Sequence, residues 1–204
     1  MFNRRVQDMF YRKAKSPEDL PWHRDQPDRF LIEAIDKRHL PGKALDLGCG
    51  SGVFSVYMAK RGWEVTGIDL MPRAIEMARE RAAKENARVT WVNADLLEWT
   101  APLEFQLVLD SGCLHSLIGN DRRRYRAQLL TWLAPGGDYI LGHFGKRGFL
   151  DWRPVGPARR TRKEIVDSFS PELRELKYEH ELMKGIPLPI GPTVQGQGFW
   201  FQRV

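Results

Sequence analysis

The stretch Lys43-Ala44-Leu45-Asp46-Leu47-Gly48-Cys49-Gly50-Ser51-Gly52 decides the fold. Its first five residues read as a short strand, and alternate glycines follow. Val53, Val56 and Tyr57 then recur at helical spacing, within a helix expected over 51–61. A strand that becomes a helix through glycines opens an α/β unit, and backbone without side chains lets a ligand approach closely. The next strand, Glu64–Ile68, ends Gly67-Ile68-Asp69. An acidic residue at that place can accept hydrogen bonds from both hydroxyls of a ribose.

The alternation continues outward. Pro72 opens a helix to about Asn86, Val89–Val92 is a third strand and Phe105–Leu109 a fourth. A helix over Asp121–Leu133 is expected to stop at Ala134-Pro135-Gly136-Gly137, before a fifth strand, Tyr139–Phe144. Upstream, Asp28 can cap a helix over 29–38 with Phe30, Leu31, Ala34 and Ile35 on one face. Residues 1–27, broken by Pro17, Pro21 and Pro27, read as a short helix and an irregular arm. Downstream, 145–161 reads as a loop, and Thr161 with Glu164 forms a capping box for a helix to Phe169. Leu173–Met183 and Phe199–Val204 are the last strands, joined through a Gly- and Pro-rich segment.

Composition narrows the function classes. The 204 residues are 42% hydrophobic and 28% charged, which suits one soluble domain. No run of 18 apolar residues exists, so no membrane helix is expected. The basic start, Met1-Phe2-Asn3-Arg4-Arg5, lacks the apolar run of a secretory leader. Two cysteines, Cys49 and Cys113, give no disulfide framework and no cysteine-rich zinc site, so a reduced pair in a cytoplasmic setting is expected, with no metal. The net charge of +6 permits an anionic partner, but no groove reader or stacking platform points to nucleic acid. Val53 stands where a dinucleotide fingerprint needs its third glycine, and no Gly-Lys-Ser/Thr follows to make a P-loop.

The run Asp46-Leu47-Gly48-Cys49-Gly50-Ser51-Gly52 closely resembles the first motif of class I S-adenosylmethionine (SAM)-dependent methyltransferases. The resemblance continues in order through Gly67-Ile68-Asp69-Leu70, Asn93-Ala94-Asp95-Leu96, the run from Leu107 to His115, and Leu133-Ala134-Pro135-Gly136-Gly137. The arm with Pro21-Trp22-His23 and the run Gly112-Cys113-Leu114-His115 look like the thiopurine methyltransferase-like branch, which acts on small molecules. The family implies a Rossmann-like, doubly wound α/β sheet of seven strands, order 3-2-1-4-5-7-6, with strand 7 antiparallel. It implies one domain over 1–204: an N-terminal lid arm (1–27), a SAM-binding core (28–144) and a substrate-side loop, helix and hairpin (145–204).

The resemblance also implies roles. Gly48 and Gly50 would let the methionine moiety lie on the turn, and Asp46 would orient that loop or reach the amino group through water. Asp69 would hold the ribose, Leu70 and Met71 would flank the adenine, and Asp95 with the Leu96 backbone would meet its amino edge. Trp22 would close over this half, and Asp110 to Leu114 would line the methyl-transfer position.

Ligands of open α/β sheets sit beyond the carboxyl ends of the strands at the switch in strand order, here between strands 1 and 4. The arm around Trp22, the loop 145–161 and the connection 184–198 can all reach that place. Asp110, His115 and His143 are the candidate catalytic groups, and each histidine reads equally well as a packing residue. Arg153, Arg159, Arg160 and Arg162 are a solvated cluster or an anion clamp, Arg122, Arg123, Arg124 and Arg126 an exposed helix face, and Trp22 and Trp152 apolar walls. Cys49 is read as packing, and Cys113 as lying on strand 4. The expected activity is methylation of a small molecule, at a thiol first, a heterocyclic nitrogen second and oxygen last. An RNA or protein substrate and a SAM-binding regulator without transfer stay as alternatives, and the oligomeric state stays open, a monomer included.

Overall fold

In the computed structural model, which describes residues 4–38, 40–146, 157–184 and 193–204, the first unit runs as the sequence expects. Strand β1 (Lys43–Leu47) leads into α3 (Val53–Ala59), then β2 (Glu64–Asp69), α4 (Pro72–Lys84) and β3 (Val89–Asn93). Helices α1 (Arg4–Lys13) and α2 (Arg29–Lys37) precede it. Strand β4 (Phe105–Asp110), α5 (Asn120–Trp132), β5 (Leu133–Gly145), α6 (Arg162–Phe169), β6 (Leu173–Lys184) and β7 (Thr193–Arg203) follow. The seven strands form one sheet in the order β3-β2-β1-β4-β5-β7-β6. Strand β7 is antiparallel to both neighbours, and the pairings among β1 to β5 are parallel. Among the described residues no helix is long and apolar enough to cross a membrane.

Both faces of the sheet are covered, as a parallel sheet requires. One face packs Leu45, Leu47, Val108 and Tyr139 against Tyr125, Leu129 and Trp132 of α5 and Ile165 and Phe169 of α6. The other packs Ala44, Leu107, Ile140 and Trp200 against Phe30, Leu31 and Ala34 of α2 and Met58 of α3. The capping box of α6 is present: the Thr161 side chain accepts from the Glu164 amide, and Glu164 accepts from the Thr161 amide.

Four boundaries differ from expectation. Helix α3 starts at Val53, not Ser51, because Gly52 holds a φ of 76°, outside the helical region. The Ala134–Gly137 signal marks a bulge, not a gap before the strand: Leu133 already pairs with Phe105, and Asp138 pairs with Leu107. Strand β7 begins at Thr193, well before Phe199, since the whole edge of β5 out to Gly145 offers it partners. Cys113 lies beyond the end of β4, in the turn after it. The arginines of α5 also divide. Arg123 and Arg124 are exposed, but Arg126 is half-buried and donates to the Ser168 carbonyl at 2.8 Å and to Glu172, tying α5 to the α6–β6 connection.

A buried carboxylate fastens α2 to the far side of the sheet. Asp138, 2% exposed, accepts from Trp200 Nε1 of β7 at 2.9 Å and from Arg38 Nε, just past α2, at 2.8 Å. Asp138→Ala leaves a buried indole N–H unpartnered and takes the ion pair from Arg38, which keeps the Gly136 carbonyl at 3.1 Å, and is expected to cost about 1–3 kcal/mol. Urea unfolding checks this, with a lower midpoint at an unchanged slope.

Candidate active site

The turn after β1 is clamped to the neighbouring strand. The amides of Gly48 and Cys49 both donate to the Ile68 carbonyl, at 2.8 and 3.0 Å. Asp69, at the end of β2, accepts from the Gly50 amide at 2.9 Å and the Met71 amide at 2.8 Å, so it positions the glycine turn and the start of α4 together. Its oxygens keep further lone pairs for hydroxyl donors. Asp95 accepts from the Leu97 amide through one oxygen at 2.9 Å. Asp46 accepts from the Ser55 hydroxyl at 2.6 Å. Gly48 has a φ of 66°, and a Cβ there would lie 2.4 Å from Cys113 Sγ, so glycine alone fits where the β1 and β4 turns touch.

These acids are held against their preference. Burial pushes Asp46 up to about 7, opposed by the Ser55 hydroxyl and reinforced by the charges of Asp69 and Asp110. Burial also raises Asp69, against its backbone donors, and raises Asp110, against Tyr125 and three amides. Among the described residues no cationic side chain hydrogen-bonds or ion-pairs with any of the three. A ligand carrying positive charge at this end of the sheet relieves that repulsion.

Trp22, Asp46, Gly48, Gly50, Asp69, Leu70, Met71, Asp95, Leu96, His115 and His143 all line one cavity of about 1450 Å³. Asp110 is absent from that lining. It is fully buried and accepts from the amides of Gly112 (2.8 Å), Cys113 (2.6 Å) and Leu114 (3.0 Å) and from the Tyr125 hydroxyl (2.5 Å). The Tyr125 hydroxyl also meets that of Tyr139 at 2.9 Å. Asp110 therefore shapes the turn that follows β4, and its oxygens are already committed there and not turned to a reacting atom.

Both candidate histidines are neutral. His143 is buried, and its Nδ1 faces the Phe144 carbonyl at 2.8 Å, which can only accept, so Nδ1 carries the proton and Nε2 a lone pair. Burial pushes it down to about 4, and the charges of Arg122 and Arg160 add to this. His115 lies in the short 3-10 turn Leu114–Ser116, stacked on Phe144 with centroids 4.6 Å apart, and meets His143 edge-on at 5.9 Å. Burial, then His143 and Arg24, push it down to about 3. Imidazoles so weakly basic do not draw a proton from a thiol or phenol at neutral pH.

The N-terminal arm covers the glycine turn. Tyr11, Ala14 and Leu20 pack on Met71, Ala74 and Met77 of α4, and a Cβ on Gly50 would lie 3.4 Å from the Tyr11 hydroxyl. Trp22 stands edge-on to Phe10 and Tyr11, with centroids 5.5 and 5.6 Å away. One acceptor-side residue escapes sequence reasoning. Asp28 looks like an ordinary helix cap, yet its side chain makes no capping bond and turns to Arg24 and Ser111. Nothing in the sequence distinguishes it from any other capping aspartate. Arg162 pairs with Glu175, and Arg160 approaches Glu164 at 3.8 Å, so these two form surface ion pairs and no clamp. Trp152, Arg153 and most of the two long connections lie outside the described residues.

Comparison with known proteins bears on this site. The family model described as a methyltransferase domain matches residues 44–137. A 2-heptyl-1-hydroxyquinolin-4(1H)-one methyltransferase of Mycobacteroides abscessus is 34% identical over 203 residues, covering 95% of this chain and 85% of that protein. A solved structure from work on conversion of a disulfide bond into a thioacetal group during echinomycin biosynthesis matches with a TM-score of 0.73 at 26% identity, covering 97% of this chain and 90% of that one. The 1,6-didemethyltoxoflavin-N1-methyltransferase of Burkholderia thailandensis, solved with its substrate and S-adenosylhomocysteine, shares the fold at a TM-score of 0.65 and 21% identity, over 86% and 79% of the two chains.

The unfolded chain protonates its histidines near 6.5, whereas the native chain holds His115 and His143 neutral down to about 3 and about 4. The two therefore withdraw stability as the pH falls from about 6.5 towards 4. In an NMR titration from pH 8 to 5 their ring protons are expected not to shift. A midpoint near 6.5 at either residue contradicts the buried, neutral assignment.

Proposed function

Because the chain belongs to the class I SAM-dependent methyltransferase family, we propose that it methylates an ionisable heteroatom on a flat, largely apolar nitrogen heterocycle. The observation that carries this reading is the size and the lining of the cavity. At about 1450 Å³ it exceeds the roughly 300–1,000 Å³ of a single-ligand pocket. Its lining includes the acids at the ends of β1 and β2 and also the apolar side chains of Phe30, Phe54, Leu117, Ile140 and Phe144. The Mycobacteroides relative is named for a bicyclic heterocycle with a heptyl tail, and a chamber of this polarity suits such a molecule. Each tail methylene it buries adds about 0.8 kcal/mol.

Bound SAM supplies a methyl group already activated on a sulfonium centre. The chain's part is to hold, orient and keep dry. Gly48 and Gly50 present bare backbone, Asp69 accepts from the ribose, Asp95 and the Leu96 backbone meet the adenine edge, and Leu70 and Met71 flank the ring. Trp22 and the arm close over this half. A cation beside Asp46 and Asp69 opposes the burial that raises them. Neutral His115 and His143 shape the acceptor chamber and serve as hydrogen-bonding groups. They favour an acceptor that yields its proton easily or has none to lose: a thiol, a ring nitrogen, or a hydroxyl acidified by a conjugated carbonyl, ahead of a simple phenol.

Radiolabelled SAM with 2-heptyl-1-hydroxyquinolin-4(1H)-one, a heteroaromatic thiol, phenol, RNA and protein as acceptors tests the reading. Label is expected in the heterocycles at least tenfold faster than in phenol. Label confined to RNA or protein overturns it. On the cofactor side, Asp69→Ala is expected to weaken SAM by about 1–3 kcal/mol in calorimetry, the cost of lost hydrogen bonds to a charged acceptor. Gly50→Leu is expected to abolish binding, since its side chain fills the cradle. Removal of residues 1–24 is expected to leave a folded sheet by circular dichroism but to lower turnover sharply, because closing segments complete such sites. Full turnover without the arm contradicts its role as a lid.

A further inference from the structure

Asp28 occupies the cap position of α2 yet gives none of its side-chain oxygens to that helix. A capping aspartate ordinarily accepts from an amide in the first helical turn. Here one carboxylate oxygen accepts from Arg24 Nη1 at 2.5 Å and the other from Ser111 Oγ at 3.2 Å. Ser111 directly follows the end of β4, where Asp110 pairs with Leu47 of β1, so it stands beside the glycine turn at the switch in strand order. Asp28, Arg24, Ser111 and His115 all line the cavity. Asp121, Glu179 and Glu181 also line the cavity, but Asp28 is the carboxylate bonded to Ser111, beside the glycine turn, while Asp110 stands outside the lining and both imidazoles are weakly basic.

We propose that Asp28 is a catalytic residue of the acceptor side, its carboxylate held by Arg24 and Ser111 to take the hydrogen bond and then the proton of an O–H, N–H or S–H acceptor. The inference rests on the small-molecule reading above. The acceptor's X–H bond breaks and its proton passes to the Asp28 carboxylate. The electron pair left on X forms the new bond to the methyl carbon, and the pair of the broken S–C bond stays on sulfur. The positive charge of the sulfonium and the negative charge of the carboxylate disappear together, and the carboxyl returns its proton to water when the product leaves. A carboxylate is a weak base, so it matches acidic acceptors and discriminates against simple phenols. Around it stand Arg24 on its own segment, Arg29 paired with Glu179 of β6 at 3.7 Å, and His115 from the turn after β4. Arg24 holds one oxygen of the carboxylate, and Ser111 holds the other.

Asp28→Asn tests this without harming the helix, because asparagine caps as well as aspartate. The measurement is kcat/KM from pH 5 to 9 with SAM and 2-heptyl-1-hydroxyquinolin-4(1H)-one, alongside SAM affinity by calorimetry. Where the wild type leaves that compound unmethylated, the heteroaromatic acceptor that it does methylate replaces it, so failure of the substrate reading is seen separately. The variant is expected to keep SAM affinity within twofold. It is expected to lose about a hundredfold in rate at two pH units below the acceptor's own pKa, where one molecule in a hundred is ionised unaided. The two profiles are expected to converge above that pKa. Ser111→Ala, which only loosens the carboxylate, is expected to lose about tenfold with the same convergence. A loss in Asp28→Asn that persists at all pH values makes Asp28 structural and overturns the proposal, as does a variant equal to wild type throughout.

Discussion

The site depends on one buried carboxylate that stands outside the cavity lining. Asp110 ends β4 and gathers three consecutive amides of the following turn, while Tyr125 of α5 holds it from below. A buried acid with this many donors fixes the backbone around it, because every alternative leaves a polar group unpaired. The turn so formed sets Ser111 toward Asp28, Cys113 against Gly48, and His115 onto Phe144. The contact of Cys113 with Gly48 locks the turns of β1 and β4 together at the place where the strand order reverses. Helix α5 acts through Tyr125 as well as through its apolar face.

A second constraint is electrostatic. Asp46, Asp69 and Asp110 sit near one another at the carboxyl ends of three adjacent strands, each raised by burial. Backbone amides and hydroxyls satisfy their hydrogen bonds but do not remove their charge. Such an arrangement is costly alone and favourable around a cation, so affinity for a positively charged donor follows from the same burial that destabilises the empty site. The arm packs beside the glycine turn, and in its proposed role as a lid it would exclude water and strengthen the interactions beneath it.

Much of this was legible in the sequence, and the division has a physical reason. Glycines at a strand-to-helix turn, the acid ending β2 and the capping box of α6 act within a few residues of chain, and their geometry is nearly context-free. Strand order came from family resemblance to the motif series, not from periodicity. Features set by distant partners stayed hidden. Asp28 caps a helix by sequence and reaches Ser111 only through the fold; Asp110 looks as reactive as Asp69 until Tyr125 and its three amides are seen around it. The extra length of β7 depends on the edge that β5 presents. The Pro135-Gly136-Gly137 signal was real, but a bulge and a strand boundary share the same residues.

The two halves of the cavity are thus built in different ways. The half proposed to hold the cofactor is main-chain geometry from β1, β2 and the segment around Asp95, in which glycine φ angles and amide-bound carboxylates leave little room for substitution. The acceptor half collects side chains from the arm, the start of α2, the turn after β4, the end of β5 and the β6–β7 pair. Each of these is anchored in its own element and contributes a few atoms. On the proposed reading, substitutions at Phe30, Leu117 or Phe144 would act on the acceptor side of the cavity. The exception is Ser111, which belongs to the acceptor chamber and to the turn organised by Asp110. Through it, the Asp28 carboxylate proposed for the acceptor side is tied to the turn that the buried Asp110 organises.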